Sequence, residues 1–524
     1  MADLECDVLI VGGGAGGCAA AMAACSLGMR VILTEPTTML GGQLTAQMVP
    51  PDEHPWIEEF GCTARYRAYR EKVRAVFGKA ATPEARSIKF LNPGGGWVSR
   101  LCHTPATGLA ALNSLLSEAR GTGTLDVRLS TEPAAANVRG DTLTSITIET
   151  EGRREEVHAH YFLDATELGE VLPLAGAEYR TGSESRVEHS EPHATDLPEP
   201  ENVQGFTWCF ALGFDRGGDH RIARPADFER WKAYIPPGWP GPLLSLVFPN
   251  PVTGQPRELP LIGANPEDRA TLFTYRQIVD PSLLPAAARA EPVTCVNWPQ
   301  NDYFGGSVID VPDSVKSKRL AESKSLGLSL LYWLQTGAPR HDGGLGYPEL
   351  TPRGSVSEAA DGFAVAPYHR ESRRMVTRLT VTEPMVAADL NPGRDRAPEM
   401  PKSVGVGYYR IDLHPSANGH GYIDIPALPF QIPLGALIPV RIRNLLPACK
   451  NLGVTHITNG CYRLHPVEWN VGEAAGLLAA FCVTHKVEPA EVYETESLWL
   501  DFQRLVHAQG IETAWPDVEL NVPT

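Results

Sequence analysis

A glycine-rich loop near the N-terminus restricts the possible folds more than any other feature of this sequence. Residues 7–11 form an apolar run typical of a buried strand, and residues 12–17 read GGGAGG, which satisfies G-x-G-x-x-G. An Ala-rich helix is predicted at 18–27 and a second strand at 30–34, and Glu35 follows that strand directly. Strand, glycines, helix, strand and terminal acid together predict a βαβ unit that binds a dinucleotide.

The predicted contacts of this unit each have a physical reason. Gly12 permits the tight turn, Gly14 allows the backbone to approach a pyrophosphate, and Gly17 permits close packing of the helix on the strand. The helix N-terminus supplies amide donors and the positive end of a dipole. Glu35 lies about 20 residues beyond the glycines, where an acidic side chain accepts hydrogen bonds from ribose hydroxyls.

Three later segments indicate which dinucleotide is bound. Residues 41–45 read GGQLT, residues 161–169 read YFLDATELG, and residues 444–480 combine a short strand with a Gly/Ala-rich helix predicted at 470–482. These segments resemble the FAD-dependent oxidoreductases of the glutathione-reductase-like superfamily. RLHPVEW at 463–469 and RESRR at 370–374 are most similar to a bacterial group named simply FAD-dependent oxidoreductases. The resemblance implies FAD as the cofactor.

The resemblance also implies an FAD-binding domain assembled from separated segments. We expect an α/β fold with a Rossmann-like FAD-binding domain at 1–180 and 436–524. A mixed α/β substrate or cap domain is expected at 181–435, with strands at 206–214 and 243–248 and a long amphipathic helix at 314–336. The expected FAD-binding residues are Gly12, Gly14, Ala15, Gly16, Gly17, Glu35, Gly41, Gly42, Gln43, Thr45, Asp164, Ala165, Thr166, Asn451, Gly472 and Ala475.

Composition excludes several other classes of protein. A net charge of −16 disfavours nucleic-acid binding, and the ten cysteines include no C-x-x-C pair, so we expect neither a metal site nor a flavin disulfide reductase. No apolar run reaches the roughly 18 residues that cross a bilayer. No signal peptide is evident in the first residues, so we expect a cytoplasmic protein without a membrane or nucleic-acid partner. The oligomeric state is not predicted.

Three groups of residues are candidates for chemistry near the flavin. The basic cluster at 369–374 contains Arg370, Arg373 and Arg374, which bind a carboxylate or phosphate, or form salt bridges between domains. Tyr303, in the sequence Asn-Asp-Tyr at 301–303, either grips a polyhydroxylated substrate or follows an ordinary turn. His465 is the candidate for the base that removes a hydroxyl or amine proton, with a buried structural histidine as the alternative.

Cys102 and His103 form a further pair, since either residue type can attach a flavin covalently; the alternative is a buried strand end. The expected function is a redox enzyme that moves a hydride equivalent between FAD and a small polar metabolite, such as a sugar-like alcohol or amine. Reoxidation by oxygen or another acceptor would follow. The alternatives are a reductase of an activated double bond in a carboxylate substrate, and a non-redox or RNA-directed flavoprotein.

Overall fold

The computed structural model describes residues 3–264, 270–288 and 290–520. Its strands, in chain order, are β1 (Asp3–Val11), β2 (Val31–Glu35), β3 (Leu125–Leu129), β4 (Thr131–Arg139), β5 (Thr142–Thr150), β6 (Arg153–Asp164), β7 (Tyr179–Arg180), β8 (Phe206–Thr207), β9 (Phe210–Phe214), β10 (Val247–Pro249), β11 (Pro256–Glu258), β12 (Gln277–Val279), β13 (Val293–Val296), β14 (Asp302–Tyr303), β15 (Leu350–Pro352), β16 (Arg374–Met375), β17 (Ser403–Gly407), β18 (Ile411–Leu413), β19 (Ile423–Ile425), β20 (Phe430–Pro433) and β21 (Leu445–Pro447).

The α-helices, in chain order, are α1 (Ala15–Ser26), α2 (Ala64–Gly78), α3 (Pro83–Arg86), α4 (Pro105–Gly121), α5 (Val171–Leu174), α6 (Arg186–His189), α7 (Phe228–Ala233), α8 (Leu272–Tyr275), α9 (Asp313–Thr336), α10 (Gly354–Ser357), α11 (Glu383–Val386), α12 (His456–Tyr462), α13 (His465–His485), α14 (Pro489–Glu494) and α15 (Glu496–Ala508).

The main sheet brings together strands from both ends of the chain. Its order is β3-β2-β1-β6-β5-β4, and β21 also pairs with β6. β1, β2, β3, β6 and β21 pair in parallel, whereas β4 and β5 form an antiparallel extension beside β6. The apolar runs of β1 and β2 are buried, as parallel strands between two layers must be. A mixed α/β fold with a parallel, Rossmann-like arrangement is thus confirmed.

The predicted elements of the βαβ unit exist, with shifted ends. β1 begins at Asp3 rather than at 7, and α1 begins at Ala15 rather than at 18, so the last glycines of the loop already belong to the helix. α13 is longer than the predicted helix at 470–482, because it starts at His465. The strand predicted at 206–214 is interrupted at 208–209, and the one predicted at 243–248 is reduced to β10.

Helices α1 and α13 contact each other backbone to backbone. A Cβ at Gly472 would collide with the carbonyl of Gly16, and one at Gly476 would collide with the backbone of Ala20. The small residues of α13, including the buried Ala475, therefore allow close helix packing. Gly472, which was expected to bind FAD, lies against the N-terminal helix, and its contact with the cofactor stays a prediction.

A second sheet, of order β12-β13-β9-β15, lies in the middle of the chain, and α9 packs against it over a separate apolar core. The first core nevertheless includes residues between 381 and 437 beside those of α1 and α13. The boundaries proposed at 180 and 435 stay predictions. Among the helices that the structure describes, none is long and apolar enough to span a membrane.

Candidate functional site

The glycine loop between β1 and α1 contains glycines of two kinds. Gly12 has a φ of 100°, and a Cβ there would collide with the carbonyl of Ala165; a Cβ at Gly17 would collide with the carbonyl of Gly12. Gly14 differs, because its φ of −62° and ψ of −172° suit any residue. The atom nearest to a Cβ at Gly14 is the end of the flexible Glu167 side chain, at 3.3 Å. Protein packing therefore does not require glycine at position 14, and the absent side chain leaves room above it.

A cavity of about 420 Å³ opens over this loop, and we call it the glycine-loop cavity. Gln47 lines it, is 1% exposed, and has a side-chain oxygen without a hydrogen-bond partner in the described structure. The hydroxyl of Thr34 is buried at the same cavity and also lacks a partner. Six of the predicted cofactor residues line the cavity: Gly12, Gly14, Glu35, Gly42, Ala165 and Thr166.

Glu35 is held at the end of β2 by three hydrogen bonds. Its Oε2 accepts from the Gly13 amide at 3.0 Å, and its Oε1 accepts from the Thr37 amide at 2.9 Å and the Thr37 hydroxyl at 2.6 Å. Burial raises the pKa of the Glu35 carboxyl to about 7, against the lowering effect of these donors. The carboxyl is thus fixed at the cavity wall.

Several other predicted cofactor residues do not line the cavity but form hydrogen bonds beside the residues that do. Asp164, at the end of β6, accepts from the Thr166 amide at 3.0 Å and from the Val171 amide at 3.1 Å. Asn451 donates to the carbonyl of Asp164 at 2.9 Å, which ties β21 to β6 beyond their ladder. Residues 41–45 form a 3-10 turn in which the Gly41 amide donates to the Gly13 carbonyl at 2.7 Å.

A buried charged network beside the loop was not predicted from the sequence. Lys450 is 1% exposed, forms an ion pair with Glu167, and lies 3.9 Å from Glu468. Burial lowers the pKa of the Lys450 ammonium, but these carboxylates outweigh burial and raise that pKa above its ordinary value. Glu468 accepts from the Gln43 amide at 2.7 Å, so the network joins the turn at 41–45 to α13. A lysine within the apolar stretch 445–452 is the signal that was available in the sequence.

A second cavity, of about 240 Å³, is lined by side chains from distant parts of the chain. We call it the arginine cavity. Six aromatic residues form much of its wall: Trp97, Phe248, Tyr275, Tyr368, Tyr409 and Tyr422. Its charged lining residues are Asp52, Arg257, Arg276, Arg370, Arg410, Asp412, His414, Asp424 and Arg463.

In the described structure, two arginines of this cavity, Arg463 and Arg410, form hydrogen bonds with acids, and Arg276 does not. Arg463 donates to Asp412 at 3.1 Å and to the Tyr368 hydroxyl at 2.7 Å. Arg410 pairs with Asp424 at the cavity wall. Arg276 lies 3.7 Å from Asp52, beyond hydrogen-bond distance. Burial raises the pKa of the Asp52 carboxyl above its ordinary value, although Arg276 acts to lower it.

Residues 366–370 separate the two cavities. Ala366, Pro367 and His369 line the glycine-loop cavity, whereas Tyr368 and Arg370 line the arginine cavity. Residues 368 and 369 face opposite sides because side chains alternate along extended backbone. The Tyr368 amide donates to the Thr207 carbonyl at 2.8 Å, and the Thr207 amide donates back at 3.0 Å, so the partition is anchored to β8.

The structure does not bring the five predicted catalytic residues together. Arg370 lines the arginine cavity, but Arg374 is buried in an ion pair with Glu184 at 2.8 Å. Arg373 pairs with Asp310 at 2.7 Å. The alternation of side chains that separates 368 from 369 also directs the arginines of this basic cluster to different places. Arg373 and Arg374 form salt bridges, as the alternative interpretation predicts. The hydroxyl of Tyr303 donates to Glu322 on α9, away from both cavity walls.

His465 begins α13, is fully buried, and is not among the residues that line either cavity. Its Nδ1 accepts from the Asp52 amide at 3.0 Å. Burial, helped by Arg276, lowers the pKa of the His465 imidazole to about 3. The neutral His465 ring orients the backbone of Asp52, which corresponds to the structural alternative. Desolvation opposes the protonated form that a catalytic base must reach.

Cys102 and His103 lie in protein interior rather than at the glycine-loop cavity. Burial raises the pKa of the Cys102 thiol to about 12, and the Nε2 of His103 lies 3.0 Å from the Tyr69 hydroxyl. This placement favours the buried-pair interpretation. On the described surface, Asp3, Glu156 and His158 bring ligand atoms within 4.8 Å of one another, a common arrangement of exposed groups.

Comparison with known proteins identifies the family. The model of the FAD dependent oxidoreductase family matches residues 7–505 of this chain. The chain belongs to that family. It is therefore an FAD-dependent oxidoreductase, and the glycine-loop cavity fits the cofactor: Gly14 leaves room that protein packing does not need, and Gln47 and Thr34 offer unpartnered buried oxygens.

The solved structures that match this chain share little sequence with it. p-Nitrophenol 4-monooxygenase from Pseudomonas putida is 10% identical over 97% of this chain and 89% of that one, with a TM-score of 0.37. Quinol fumarate reductase from E. coli is 12% identical over 97% and 74%, with a TM-score of 0.33. L-proline dehydrogenase from P. horikoshii is 14% identical over 32% and 23%, so this chain spans about a quarter of it; the TM-score is 0.20. No curated protein matches the sequence significantly.

Sequence reasoning missed most of the arginine cavity. Arg463 lies in the RLHPVEW segment, in which only His465 was predicted to be catalytic. Arg276 and Asp52 lie in segments without any recognisable motif. They meet only because the fold joins positions more than 200 residues apart, so burial of the arginines is the signal that identifies them, and burial is visible only in the structure.

Proposed function

We propose that this enzyme transfers a hydride equivalent between FAD bound in the glycine-loop cavity and a small polar metabolite bound in the arginine cavity. The observation that carries the proposal is the shared wall at 366–370, with residues facing each cavity in turn. FAD supplies the acceptor for the hydride when a C–OH or C–N bond is oxidised. The protein must then position the substrate and accept its hydroxyl or amine proton.

Asp52 is the group that we assign to the proton. It lines the arginine cavity, is 5% exposed, and has an Oδ1 without a hydrogen-bond partner in the described structure. Its raised pKa brings the carboxyl closer to the range in which acids and bases exchange protons efficiently. The substrate loses two electrons and one hydrogen as hydride, and Asp52 Oδ1 accepts the remaining proton. His465 acts as a positioning residue through its hydrogen bond to the Asp52 amide.

The same residues also suit a reduction, in which the hydride equivalent passes from reduced FAD to the substrate. Reduction of an activated double bond in a carboxylate substrate is the second candidate, and the arginines around the cavity favour it. In that direction Asp52 donates a proton instead of accepting one. Turnover of an unsaturated acid with an artificial electron donor, and no turnover of alcohols or amines with oxygen, would select this direction.

Anaerobic reduction of the bound flavin tests the proposal. A panel of hydroxy acids, amino acids, sugars and amines is mixed with the holoenzyme, and loss of the oxidised flavin absorbance is followed. We expect at least one donor to bleach the flavin, and Asp52→Asn to slow bleaching roughly 100-fold or more at unchanged FAD content. Asp424→Asn is the matched control, because Asp424 lines the same cavity but pairs with Arg410. Equal rates in both variants would contradict the assignment.

A further inference from the structure

The arginine cavity contains buried N–H groups for which the described protein provides no acceptor. The unpartnered nitrogens are Arg276 Nε and Nη1, Arg370 Nε, Arg463 Nε and Asn297 Nδ2. Arg370 and Arg463 are each 2% exposed, and Asn297 is 4% exposed. A buried donor without an acceptor lowers the stability of a protein. Several of them around one cavity indicate a ligand rich in acceptor atoms.

The bonds that these residues do form hold the unpartnered groups in place. Arg370 donates to the Gly205 carbonyl at 2.7 Å, to the Thr207 hydroxyl at 2.9 Å and to Asn297 Oδ1 at 3.2 Å. Only its Nε is left over. Asn297, fixed by that bond, retains an amide nitrogen without an acceptor in the described structure. Such a pre-positioned pair of donors costs little side-chain entropy when a ligand binds.

Charge decides which acceptor the cavity suits. Five arginines and three aspartates line it, so cations are in excess. Arg463 and Arg410 have acids within hydrogen-bond distance, and Arg370 lies 3.0 Å from Asp302. In the described structure, Arg276 has only Asp52 within ion-pair range, at 3.7 Å and beyond hydrogen-bond distance. The Nε and Nη1 of Arg276 therefore have no hydrogen-bonded acceptor in the described structure, so this guanidinium can bind a further anion.

We infer that the substrate of this enzyme carries a carboxylate, which Arg276 binds as counter-ion while the free N–H groups of Arg370, Arg463 and Asn297 satisfy its other acceptors. The aromatic wall, with Tyr275 and Tyr409, favours a planar organic acid over a compact inorganic anion. The assignment of this carboxylate ligand as the substrate rests on the proposed function. The anion site itself does not depend on the direction of the redox reaction.

Calorimetric titration of the holoenzyme with benzoate, benzamide and inorganic phosphate tests the inference. Benzoate and benzamide have almost the same shape, so their difference reports the charge. We expect benzoate to bind at least 10-fold more tightly than benzamide or phosphate. Equal binding of benzoate and benzamide would overturn the anion site, and tighter binding of phosphate would overturn the carboxylate assignment.

Variants locate the charge that is responsible. Arg276→Met is expected to weaken benzoate binding at least 10-fold and to leave benzamide binding nearly unchanged. Arg353→Met is the matched control, because Arg353 pairs with Glu291 outside the cavity and its loss changes the net charge equally. Wild-type benzoate affinity in Arg276→Met, or an equal loss in Arg353→Met, would contradict the role of Arg276.

Two further measurements keep the result interpretable. FAD content and melting temperature report whether Arg276→Met is folded; if it is not, Tyr422→Phe replaces it. The Tyr422 hydroxyl is buried at the cavity without a partner in the described structure, and its loss should weaken benzoate binding about 3-fold or more. Benzoate selectivity in an enzyme whose flavin no donor reduces would retain the anion site and reject the hydride function. Reduction of the flavin by neutral donors, together with equal binding of benzoate and benzamide, would retain the hydride function and reject the anion site.

Discussion

The glycine-loop cavity and the arginine cavity share the segment 366–370 as a wall, but the chain builds them differently. The first is formed largely by backbone and small residues of one βαβ unit and the loop after β6, and its charged lining residues are mostly acidic. The second is formed by long side chains from many segments, and its charged lining residues are mostly arginines. Backbone amides can bind phosphates without side-chain charge, whereas arginine side chains bind a carboxylate with two parallel hydrogen bonds and an opposite charge.

The largest effect should come from the glycine that the protein itself requires. Gly12→Ala places a Cβ against the Ala165 carbonyl at a φ of 100°. We expect roughly 2–4 kcal/mol of destabilisation and loss of FAD incorporation. Thermal unfolding of the apoprotein and the flavin content of the purified protein measure both. A variant with wild-type melting temperature would show that the loop relaxes more easily than its geometry indicates.

Glu35 should make the stability of the apoprotein depend on pH. Its folded-state pKa is about 7 against an ordinary value of 4.5, so unfolding releases a proton between these values. Its contribution to the free energy of unfolding is therefore present at low pH and is lost as the pH rises through about 7, by up to about 3 kcal/mol. The wild-type melting temperature should fall more than that of Glu35→Gln between about pH 5 and about pH 8. Parallel pH profiles would contradict this.

Gly14→Ala tests whether the cofactor, rather than the fold, requires glycine at this position. Because the atom nearest to a Cβ there is the end of the flexible Glu167 side chain, at 3.3 Å, the apoprotein should unfold within a few degrees of wild type. FAD should bind about 10-fold more weakly or worse, a loss of ~1.4 kcal/mol or more. Fluorescence titration of the apoprotein with FAD gives the dissociation constant. Unchanged affinity would mean that the cofactor does not pass over this residue.

The smallest effect should be confined to the arginine cavity. Tyr368→Phe removes the acceptor of one Arg463 hydrogen bond, worth about 1 kcal/mol, and leaves the glycine loop untouched. Benzoate affinity should fall about 5-fold while FAD affinity is unchanged. A comparable loss of FAD affinity would indicate that the two cavities are coupled through the partition.

This contrast explains how much the sequence predicts. Local sequence patterns predict the βαβ unit, Glu35 and the strand before Asp164. Residues that are close in sequence form the glycine turn, the start of the helix and the apolar run of each strand. The arginine cavity has no local pattern, because its residues meet only after the two sheets have formed. Gly472 shows a third case: a small residue in a helix permits either a ligand or another helix, and only the structure distinguishes them.

The most direct test of the two-cavity account is the visible absorption spectrum of the bound flavin during a benzoate titration. An anion in a cavity that adjoins the flavin changes the electrostatic field at the ring. We predict a saturable spectral change in the wild-type holoenzyme, with the same dissociation constant as calorimetry and no release of FAD, and its loss in Arg276→Met. Benzoate that binds without changing the spectrum, or that displaces FAD, would contradict the account.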